Sequence, residues 1–311
     1  MIDFITWTAN PILATAGAFT VRWYGLMFAI GFLVGYYIVD KMYRREGAPE
    51  QWVSYLFFYV IIATILGARL GHVFFYAWDY YSAHPMEIFA IWEGGLASHG
   101  GTLGIIIAIA FYSKYVTGER VLTPAQREVK GGKAWAWLVK LWRSMLWTFD
   151  RVVVPTGFVA ALIRLGNLMN HEIYGGVTDQ PWGFRFISNV GAYMQGADPL
   201  FTPPCHPTQL YEAACYLVIF GICMWMYWRM KSQYRPGLIF GVFLTLVFGS
   251  RFLIEYVKNV QEDWEIAMRA TWGIDQGQLL SIPFVVLGVW LIVRALVRPK
   301  VEPVDFKTGK K

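Results

Sequence analysis

The chain has 311 residues, of which 56% are hydrophobic and only 15% charged, and its formal net charge is +6. An ordinary soluble domain has about 25% charged residues, so this composition argues against a soluble protein and predicts a membrane protein. In a membrane protein an excess of Lys and Arg reflects cytoplasmic loops more often than nucleic-acid binding, so we expect no nucleic-acid partner.

The cysteines predict no special chemistry. There are three, Cys205, Cys215 and Cys223, and none of them forms a Cys-x-x-Cys pair. The odd number and the spacing indicate neither a disulfide framework nor a metal site. We therefore expect the chain to work without a metal or another cofactor.

A helix needs roughly 20 mostly apolar residues to span a membrane. Seven segments meet this requirement in chain order: 21–39, 53–75, 96–116, 152–170, 209–228, 237–257 and 278–297. The fourth is the weakest, because its apolar part is short before Arg164. The predicted fold class is an all-α integral membrane protein with seven transmembrane helices in a single polytopic domain, 1–311.

The distribution of Lys and Arg predicts how the spans are oriented. The loops after spans one, three and five, together with the C-terminal tail, contain twenty of the 27 Lys and Arg residues. The loops on the opposite side contain three, Arg185, Lys258 and Arg269. By the positive-inside rule we expect the N-terminus outside and the C-terminus in the cytoplasm.

Two of the predicted loops are long. The cytoplasmic loop 117–150 has an apolar stripe at helical spacing, with Lys and Arg between its members Leu138, Leu141, Trp142 and Met145. This pattern predicts an interfacial amphipathic helix on anionic membrane lipid, and a plain connector is the alternative. The segment 171–208 is rich in Gly, Pro and aromatic residues and predicts a small extracytoplasmic cap.

The most unusual stretch lies at the end of span four. Residues 164–172 read Arg-Leu-Gly-Asn-Leu-Met-Asn-His-Glu and include Arg164, Asn167 and Glu172. A charged side chain at the centre of a membrane helix costs about 2.5–3.5 kcal/mol, so such residues need a compensating role. Arg164 has no counter-ion at i±4 within the span, which favours a functional interpretation over simple charge pairing.

Further polar side chains lie towards the same predicted outer leaflet: Arg69, His99, His206, Glu212, Arg251 and Glu255. One shared pocket is the simplest explanation for groups from several spans. Plain alternatives remain, because Arg251 and Glu255 can neutralise each other at i, i+4 and Arg69 can reach the interface. A lone histidine near an interface, such as His206, is usually structural.

Three arginines beside two or three carboxylates suggest a pocket for an anion, because arginine binds phosphate bidentately and stays charged when desolvated. The abundant phosphate of a bilayer is the lipid head group, and histidine or glutamate beside it can transfer protons. A transporter or channel for anions or lipids fits the same chemistry, although no internal repeat supports it. Other membrane enzymes are disfavoured, because Gly-x-Ser-x-Gly, His-Glu-x-x-His and clustered aspartates are absent from the sequence.

These motifs resemble those of the bacterial prolipoprotein diacylglyceryl transferases. The family signature is close to Gly-Arg-x-Gly-Asn-Phe-x-Asn-x-Glu-x-x-Gly, and residues 163–175 read Ile-Arg-Leu-Gly-Asn-Leu-Met-Asn-His-Glu-Ile-Tyr-Gly. Ile163 and Leu168 depart from the signature, and both changes affect helix packing more than chemistry. The resemblance runs nearly end to end and includes His99-Gly-Gly, His206-Pro-Thr-Gln-Leu-Tyr-Glu212 and Arg251-x-x-x-Glu255.

The resemblance implies a reaction. The diacylglyceryl group of phosphatidylglycerol moves to the lipobox cysteine thiol of a prolipoprotein signal peptide, a thioether forms and glycerol phosphate leaves. This is the first step of lipoprotein maturation, and the partners are phosphatidylglycerol, prolipoprotein signal peptides and membrane lipids. The resemblance also implies a multi-pass protein of the bacterial cytoplasmic (inner) membrane whose active site faces the outer leaflet.

The resemblance also assigns roles. Arg164 and Arg251 bind and polarise the leaving phosphate. His99 is the usual candidate for activating the thiol, with His206 and Glu172 as chemical alternatives. The predicted catalytic set is His99, Arg164, Glu172 and Arg251. The predicted phosphatidylglycerol-binding set is Tyr24, Arg69, Arg164, Asn167, Gly175, His206, Glu212, Arg251 and Glu255.

Overall fold

A computed structural model describes residues 4–17, 19–91, 94–259, 263–304 and 306. The α-helices found there are α1 Trp23–Glu46, α2 Gln51–Tyr76, α3 Trp78–Ala83, α4 Ser98–Tyr112, α5 Pro124–Arg127, α6 Lys133–Met169, α7 Val190–Tyr193, α8 Thr208–Trp228, α9 Leu238–Ile254, α10 Asp263–Trp272 and α11 Gln276–Val297. The strands are β1 Ile5–Thr6, β2 Ile12–Ala16, β3 Phe19–Arg22 and β4 Phe184–Arg185. Shorter helical turns occupy Pro85–Phe89, Ser113–Thr117, Gly118–Val121, Ser232–Tyr234 and Glu255–Val257.

In the part of the chain that the structure describes, seven helical segments are long and apolar enough to cross a bilayer. They are Trp23–Glu46, Gln51–Tyr76, Ser98–Val121, Lys133–Met169, Thr208–Trp228, Leu238–Val257 and Gln276–Val297. The prediction of a mostly helical protein with seven spans is therefore confirmed. The orientation of the termini stays a prediction.

The largest boundary difference concerns α6, which runs unbroken over Lys133–Met169. The interfacial helix predicted in 117–150 and the span predicted from residue 152 are one helix rather than two elements. Arg151 directly precedes the predicted span, and its Nη2 lies 2.7 Å from Glu46 Oε2 with both side chains buried. Because the charge is compensated, the helix continues. Contact of its N-terminal half with lipid stays a prediction.

Contacts divide the chain into two compact units, which are described separately below. The first unit comprises Met1–Gly35 with Val152–Pro299, and the second comprises Tyr36–Arg151 with Lys300–Lys311. The prediction of a single polytopic domain stays a prediction.

Glycines set the helix packing in the second unit. A Cβ on Gly71 of α2 would lie 2.6 Å from the Cα of Gly100 in α4, and a Cβ on Gly104 would lie 3.2 Å from the Cα of Gly67. Side chains do not fit between these backbones, so the two helices approach as closely as small residues allow. This contact fixes the N-terminal turn of α4, which carries His99.

Close approaches also order the first unit. A Cβ on Gly157 of α6 would lie 2.8 Å from the backbone oxygen of Tyr216 in α8. A Cβ on Gly288 of α11 would lie 2.8 Å from the backbone oxygen of Gly241 in α9. These two contacts bring α6 against α8 and α9 against α11. The predicted site residues of this unit lie mostly at or near the ends of α6, α8 and α9.

The segment 171–208 is folded around a small apolar core. Phe184, Phe186 and Cys205 are buried there, and β4 pairs in parallel with β1, with Ile5 opposite Phe184. Strands β2 and β3 form a second two-stranded sheet, which is antiparallel. The all-α prediction omitted both sheets, because strands of two to five residues are too short to give a periodic pattern. The extracytoplasmic location of the segment stays a prediction.

Candidate active site

Charged side chains from three helices meet in the first unit. Helix α6 contributes Arg164, α8 contributes Glu212, the end of α9 contributes Arg251 and Glu255, and Lys258 follows. Arg164 Nε lies 2.5 Å from Glu212 Oε2, and Lys258 Nζ lies 2.9 Å from Glu212 Oε1. The Glu212 carboxylate thus lies between two cations, and its side chain is only 1% exposed.

The second carboxylate of the cluster is Glu255. Its Oε2 lies 3.4 Å from Lys258 Nζ and 3.9 Å from Arg251 Nε. The i, i+4 pairing expected for Arg251 and Glu255 is therefore present but long. Within the described residues, Arg251 Nε is buried without a hydrogen-bond partner, whereas the side chain as a whole is 35% exposed. The Arg251 guanidinium thus retains the capacity to bind an anion from outside the protein.

A hydrogen-bond network orients the other arginine. Arg164 Nη1 donates to Asn167 Oδ1 at 3.3 Å, and Asn167 Nδ2 donates to Glu172 Oε1 at 2.8 Å. Asn170 Nδ2 donates to the same Glu172 oxygen at 3.2 Å. Arg164 also interacts electrostatically with the Tyr216 side chain. The polar residues that made this stretch unusual in the sequence therefore bind one another.

Tyr24 lies beside this network. A Cβ on Gly166 would lie 2.8 Å from Tyr24 Cδ2, so the Tyr24 ring packs directly on the α6 backbone. The Tyr24 side chain interacts electrostatically with Glu172 and Arg164. Tyr24 therefore lies against the signature helix, and its contact with the lipid stays a prediction.

The loop that follows α6 is tied to the ends of two other helices. The Gly175 N–H donates to the His206 carbonyl at 2.8 Å, and the Gly176 N–H donates to the Val257 carbonyl at 2.9 Å. A Cβ on Gly175 would lie 2.7 Å from Thr208 Cγ2. Gly175 therefore permits the close approach that brings the start of α8 and the end of α9 beside the signature.

The two polar residues at the start of α8 have different surroundings. Glu212 belongs to the charge cluster, whereas His206 Nδ1 lies 3.2 Å from the Tyr211 hydroxyl. Tyr211 in turn accepts a hydrogen bond from Trp182 Nε1 at 2.8 Å. The His206 ring is thus positioned by an aromatic pair.

Arg69 and His99 belong to the second unit. Arg69 is buried, and its guanidinium donates to the backbone carbonyls of Glu87, Ile88 and Gly94 at 2.5, 2.9 and 2.7 Å. These contacts support a role in holding the backbone at Glu87, Ile88 and Gly94, while contact with lipid phosphate stays a prediction. His99 is exposed in the first turn of α4. The single pocket predicted for all the polar residues also stays a prediction.

The cysteines of this chain are not arranged as nucleophiles. None of the three is disulfide-bonded, and Cys205 is buried, which raises the pKa of its thiol. A thiol reacts as the thiolate, so burial lowers its reactivity. Among the residues that the structure describes, no group of three His, Cys, Asp or Glu side chains has the arrangement of a metal site.

Known proteins are similar to this chain over nearly its whole length. A profile of the family described as prolipoprotein diacylglyceryl transferase matches residues 11–126 and 129–294. The chain belongs to this family. A phosphatidylglycerol–prolipoprotein diacylglyceryl transferase from Porphyromonas gingivalis is 49% identical over 298 residues, covering 95% of this chain and 96% of the relative. A relative of the same name from Chloroherpeton thalassium is 42% identical and covers 96% of this chain and 97% of its own length. Another, from Tolumonas auensis, is 40% identical and covers 92% of this chain and 96% of its own length.

The resemblance inferred from motifs is thus confirmed, and the chain is a transferase. One member of the charge cluster, Lys258, and one neighbour of it, Tyr216, were nevertheless missing from the residues predicted for the transferase site. Lys258 was counted only as a loop cation, and Tyr216 was not considered. Spacing could have found both, because Arg251, Glu255 and Lys258 lie at i, i+4 and i+7, and Tyr216 lies four residues after Glu212.

Proposed function

We propose that the chain transfers the diacylglyceryl group of phosphatidylglycerol to the lipobox cysteine thiol of a prolipoprotein. The thiol sulfur bonds to the glyceryl carbon, the carbon–oxygen bond to phosphate breaks, and glycerol phosphate leaves. The names of the relatives supply the substrates, and their coverage of nearly the whole chain supports the transfer of this function. The reaction is the first step of lipoprotein maturation.

The observation that carries the proposal is the meeting of Arg164 and Arg251 in one cluster of charged side chains in the first unit. A phosphodiester gains negative charge as its bond to the glyceryl carbon breaks. Fixed guanidinium groups stabilise such charge without reorganisation at the moment of reaction. Arg251 is suited to bind the phosphate directly, because its side chain is 35% exposed and its Nε is 3.9 Å from the nearest oxygen of Glu255.

Arg164 is suited to bind in one fixed orientation. Glu212 engages its Nε, and Asn167 accepts from its Nη1, so the plane of the guanidinium is fixed by two neighbours. Glu172 orients Asn167 through the side-chain amide. In this arrangement Glu172 acts through Asn167 on Arg164, and Tyr24 and Gly175 shape the surroundings of the lipid.

The thiol proton needs an acceptor, because a free thiol has a pKa of about 8.5 and reacts as the thiolate. His99, His206 and Glu172 qualify by chemistry. Glu172 already accepts from two asparagine amides, and the His206 ring is paired with Tyr211. His99 is exposed, and we assign the proton transfer to it. The acceptor protein supplies the reacting sulfur.

The proposed function includes a location in the cell for the protein and its site. The excess of Lys and Arg in alternate loops supports a multi-pass protein of the bacterial cytoplasmic membrane, with its site on the outer side. Phosphatidylglycerol would enter from the membrane together with the signal peptide that carries the lipobox.

A direct test uses purified protein, phosphatidylglycerol and a lipobox peptide, with the mass of the peptide as readout. Arg164→Ala should abolish transfer. Arg164→Lys keeps the positive charge but loses the planar guanidinium that binds phosphate through two N–H groups, so it should lower the transfer rate at least about tenfold. The exposed Arg229 provides the matched control Arg229→Ala, which should transfer at the wild-type rate.

A peptide with Ser in place of the lipobox Cys should gain no mass. Full activity of Arg164→Ala at normal protein level would contradict the role of the signature. Wild-type protein that leaves the Cys peptide unmodified would contradict the proposed function itself.

A further inference from the structure

Five charged side chains of the first unit form a continuous series of alternating sign. In spatial order they are Arg164, Glu212, Lys258, Glu255 and Arg251. The two ends of the series are the two arginines that the proposed function assigns to the phosphate. The middle member is Lys258, which lies outside the predicted site.

Lys258 is placed to control both halves of this series. Its Nζ lies 2.9 Å from Glu212 Oε1 and 3.4 Å from Glu255 Oε2, and its side chain is only 10% exposed. Its backbone is held too, because Lys258 forms an antiparallel bridge with Gly175. The ammonium group is therefore a fixed partner of two carboxylates.

We propose that Lys258 is a positioning residue of the transferase, which keeps Arg251 available for lipid phosphate by binding Glu255. This inference rests on the proposed function. With Lys258 present, Glu255 has a closer cation than Arg251, whose Nε is 3.9 Å away. Without it, Glu255 has Arg251 as its remaining partner in the series, and the phosphate must compete with that carboxylate.

Lys258 also sets the net charge of the series. The series holds three cations and two carboxylates, and its one excess positive charge matches a phosphodiester monoanion. Removal of Lys258 makes the series neutral and weakens its attraction for an anion. Two effects of a single residue, competition and charge, therefore act in the same direction on lipid binding.

Other titratable groups face the same carboxylates. Tyr216 interacts with Glu212, while Asp275 interacts with Glu255. Arg269 Nη2 donates to the backbone oxygen of Glu255 at 3.0 Å and lies 3.5 Å from Asp275 Oδ2. Because Arg269 is already paired with Asp275, it does not replace Lys258 as the partner of the Glu255 carboxylate.

The test compares Lys258→Met with Lys258→Arg in the transfer assay, with the exposed Lys300→Met as the matched control. Lys258→Met should raise the KM for phosphatidylglycerol about tenfold or more and change kcat less, because ground-state binding is weakened. Lys258→Arg and Lys300→Met should stay within about threefold of the wild-type KM. The KM for the lipobox peptide should not change.

A second variant separates positioning from folding. Adding Glu255→Gln to Lys258→Met removes the competing carboxylate and should recover part of the lost affinity. The defect of Lys258→Met should also shrink as pH falls, because protonation of Glu255 removes the carboxylate charge that competes with the phosphate for Arg251.

An unchanged KM in Lys258→Met would overturn the inference. So would a loss that neither Lys258→Arg, added Glu255→Gln nor lower pH reduces, since that pattern reports only a structural role. If Lys258→Met does not fold, Lys258→Arg and Lys258→Gln are compared in its place. Wild-type protein without transfer would contradict the proposed function, whereas active wild type with these negative results would contradict only the role of Lys258.

Discussion

Arg164 and Arg251 are both arginines of membrane spans, yet their surroundings differ. Arg164 is 19% exposed and bound to a buried carboxylate at 2.5 Å, whereas Arg251 is 35% exposed and 3.9 Å from its carboxylate. The sequence presents them as equivalent anion ligands. The structure distinguishes an arginine that is held in one orientation from one that is available to a ligand.

Two consecutive glycines of the signature loop also differ in their surroundings. A Cβ on Gly175 would lie 2.7 Å from Thr208 Cγ2 and 2.9 Å from His206 Cβ, whereas a Cβ on Gly176 would make ordinary contacts beyond 3.5 Å. We expect Gly175→Ala to lower the free energy of unfolding by about 1–3 kcal/mol and to lower transfer, because overpacking displaces the start of α8. Thermal unfolding in detergent and the peptide assay measure the two effects.

Gly176→Ala is the matched control, and its stability and transfer rate should be close to those of the wild type. Equal stability and equal transfer rates for Gly175→Ala and Gly176→Ala would show that close packing is not what requires a glycine at position 175.

His171 connects the signature loop to two distant segments. Its Nε2 lies 2.8 Å from the Ala9 carbonyl, and the Ile187 N–H donates to its Nδ1 at 3.1 Å. The carbonyl can only accept, so Nε2 carries the proton and Nδ1 is an acceptor in the neutral ring. Burial lowers the pKa of His171 below the ordinary value of 6.5, against an opposing effect of the Ala9 hydrogen bond.

The sign of the pH effect follows from that direction. Below the ordinary value of 6.5 the unfolded chain takes up a proton that the folded His171 resists, so stability is lost as pH falls. We expect the melting temperature to drop between about pH 8 and pH 5.5, partly through this residue. The variant His171→Asn keeps a residue that tolerates the left-handed backbone at φ 56°. It should melt lower than wild type at pH 8 and lose less on acidification, and parallel pH curves would refute the role of His171.

At the scale of elements, helix α6 shows how a tertiary contact changes a boundary. The Arg151 guanidinium donates to both carboxylate oxygens of Glu46, at 3.0–3.1 Å from Nε, and its backbone partner is the Trp147 carbonyl at 2.6 Å. Arg151, which directly precedes the predicted span, is thus an interior residue of the helix. The ion pair connects α1 and α6 within the second unit.

Breaking this buried pair should be costly. We expect Arg151→Met to lower the free energy of unfolding by about 3–5 kcal/mol, because the buried Glu46 carboxylate loses the guanidinium that compensates its charge. The double variant Glu46→Gln with Arg151→Met should recover part of the loss. Denaturant titration of the purified protein in detergent measures these differences.

The exposed Arg44 gives the matched control, since it pairs with Glu50 at 2.8 Å where both side chains are more than half exposed. Arg44→Met should change stability far less, because solvent screens such pairs. Equal losses for Arg44→Met and Arg151→Met would show that burial does not govern the strength of the α1–α6 pair.

At the scale of the whole molecule, the positive-inside rule makes a testable statement about topology. A fluorescent protein fused to the C-terminus should fluoresce, and alkaline phosphatase fused there should be inactive, because both report a cytoplasmic tail. Alkaline phosphatase inserted near residue 197, in the predicted cap, should be active. The reverse pattern of activities would place the signature on the cytoplasmic side and contradict the proposed location of the reaction.

The sequence by itself determined the membrane class, the seven spans and the family. These features can be predicted from the sequence because a bilayer requires long apolar helices and makes each charged residue in them, such as Arg164, energetically costly. The signature residues were found for the same reason, since Asn167 and Glu172 are conspicuous in an apolar chain. The short strands and the continuity of α6 could not be predicted from local sequence, because both involve contacts with residues elsewhere in the chain.

Only the tertiary structure decided which polar groups bind each other. Arg151 is 105 positions from Glu46, and Gly175 meets the segments that begin α8 and follow α9. Local periodicity carries no information on such pairs. The carbonyl partners of Arg69 and the central place of Lys258 between two glutamates were likewise fixed by packing, which determines how each buried charge is compensated.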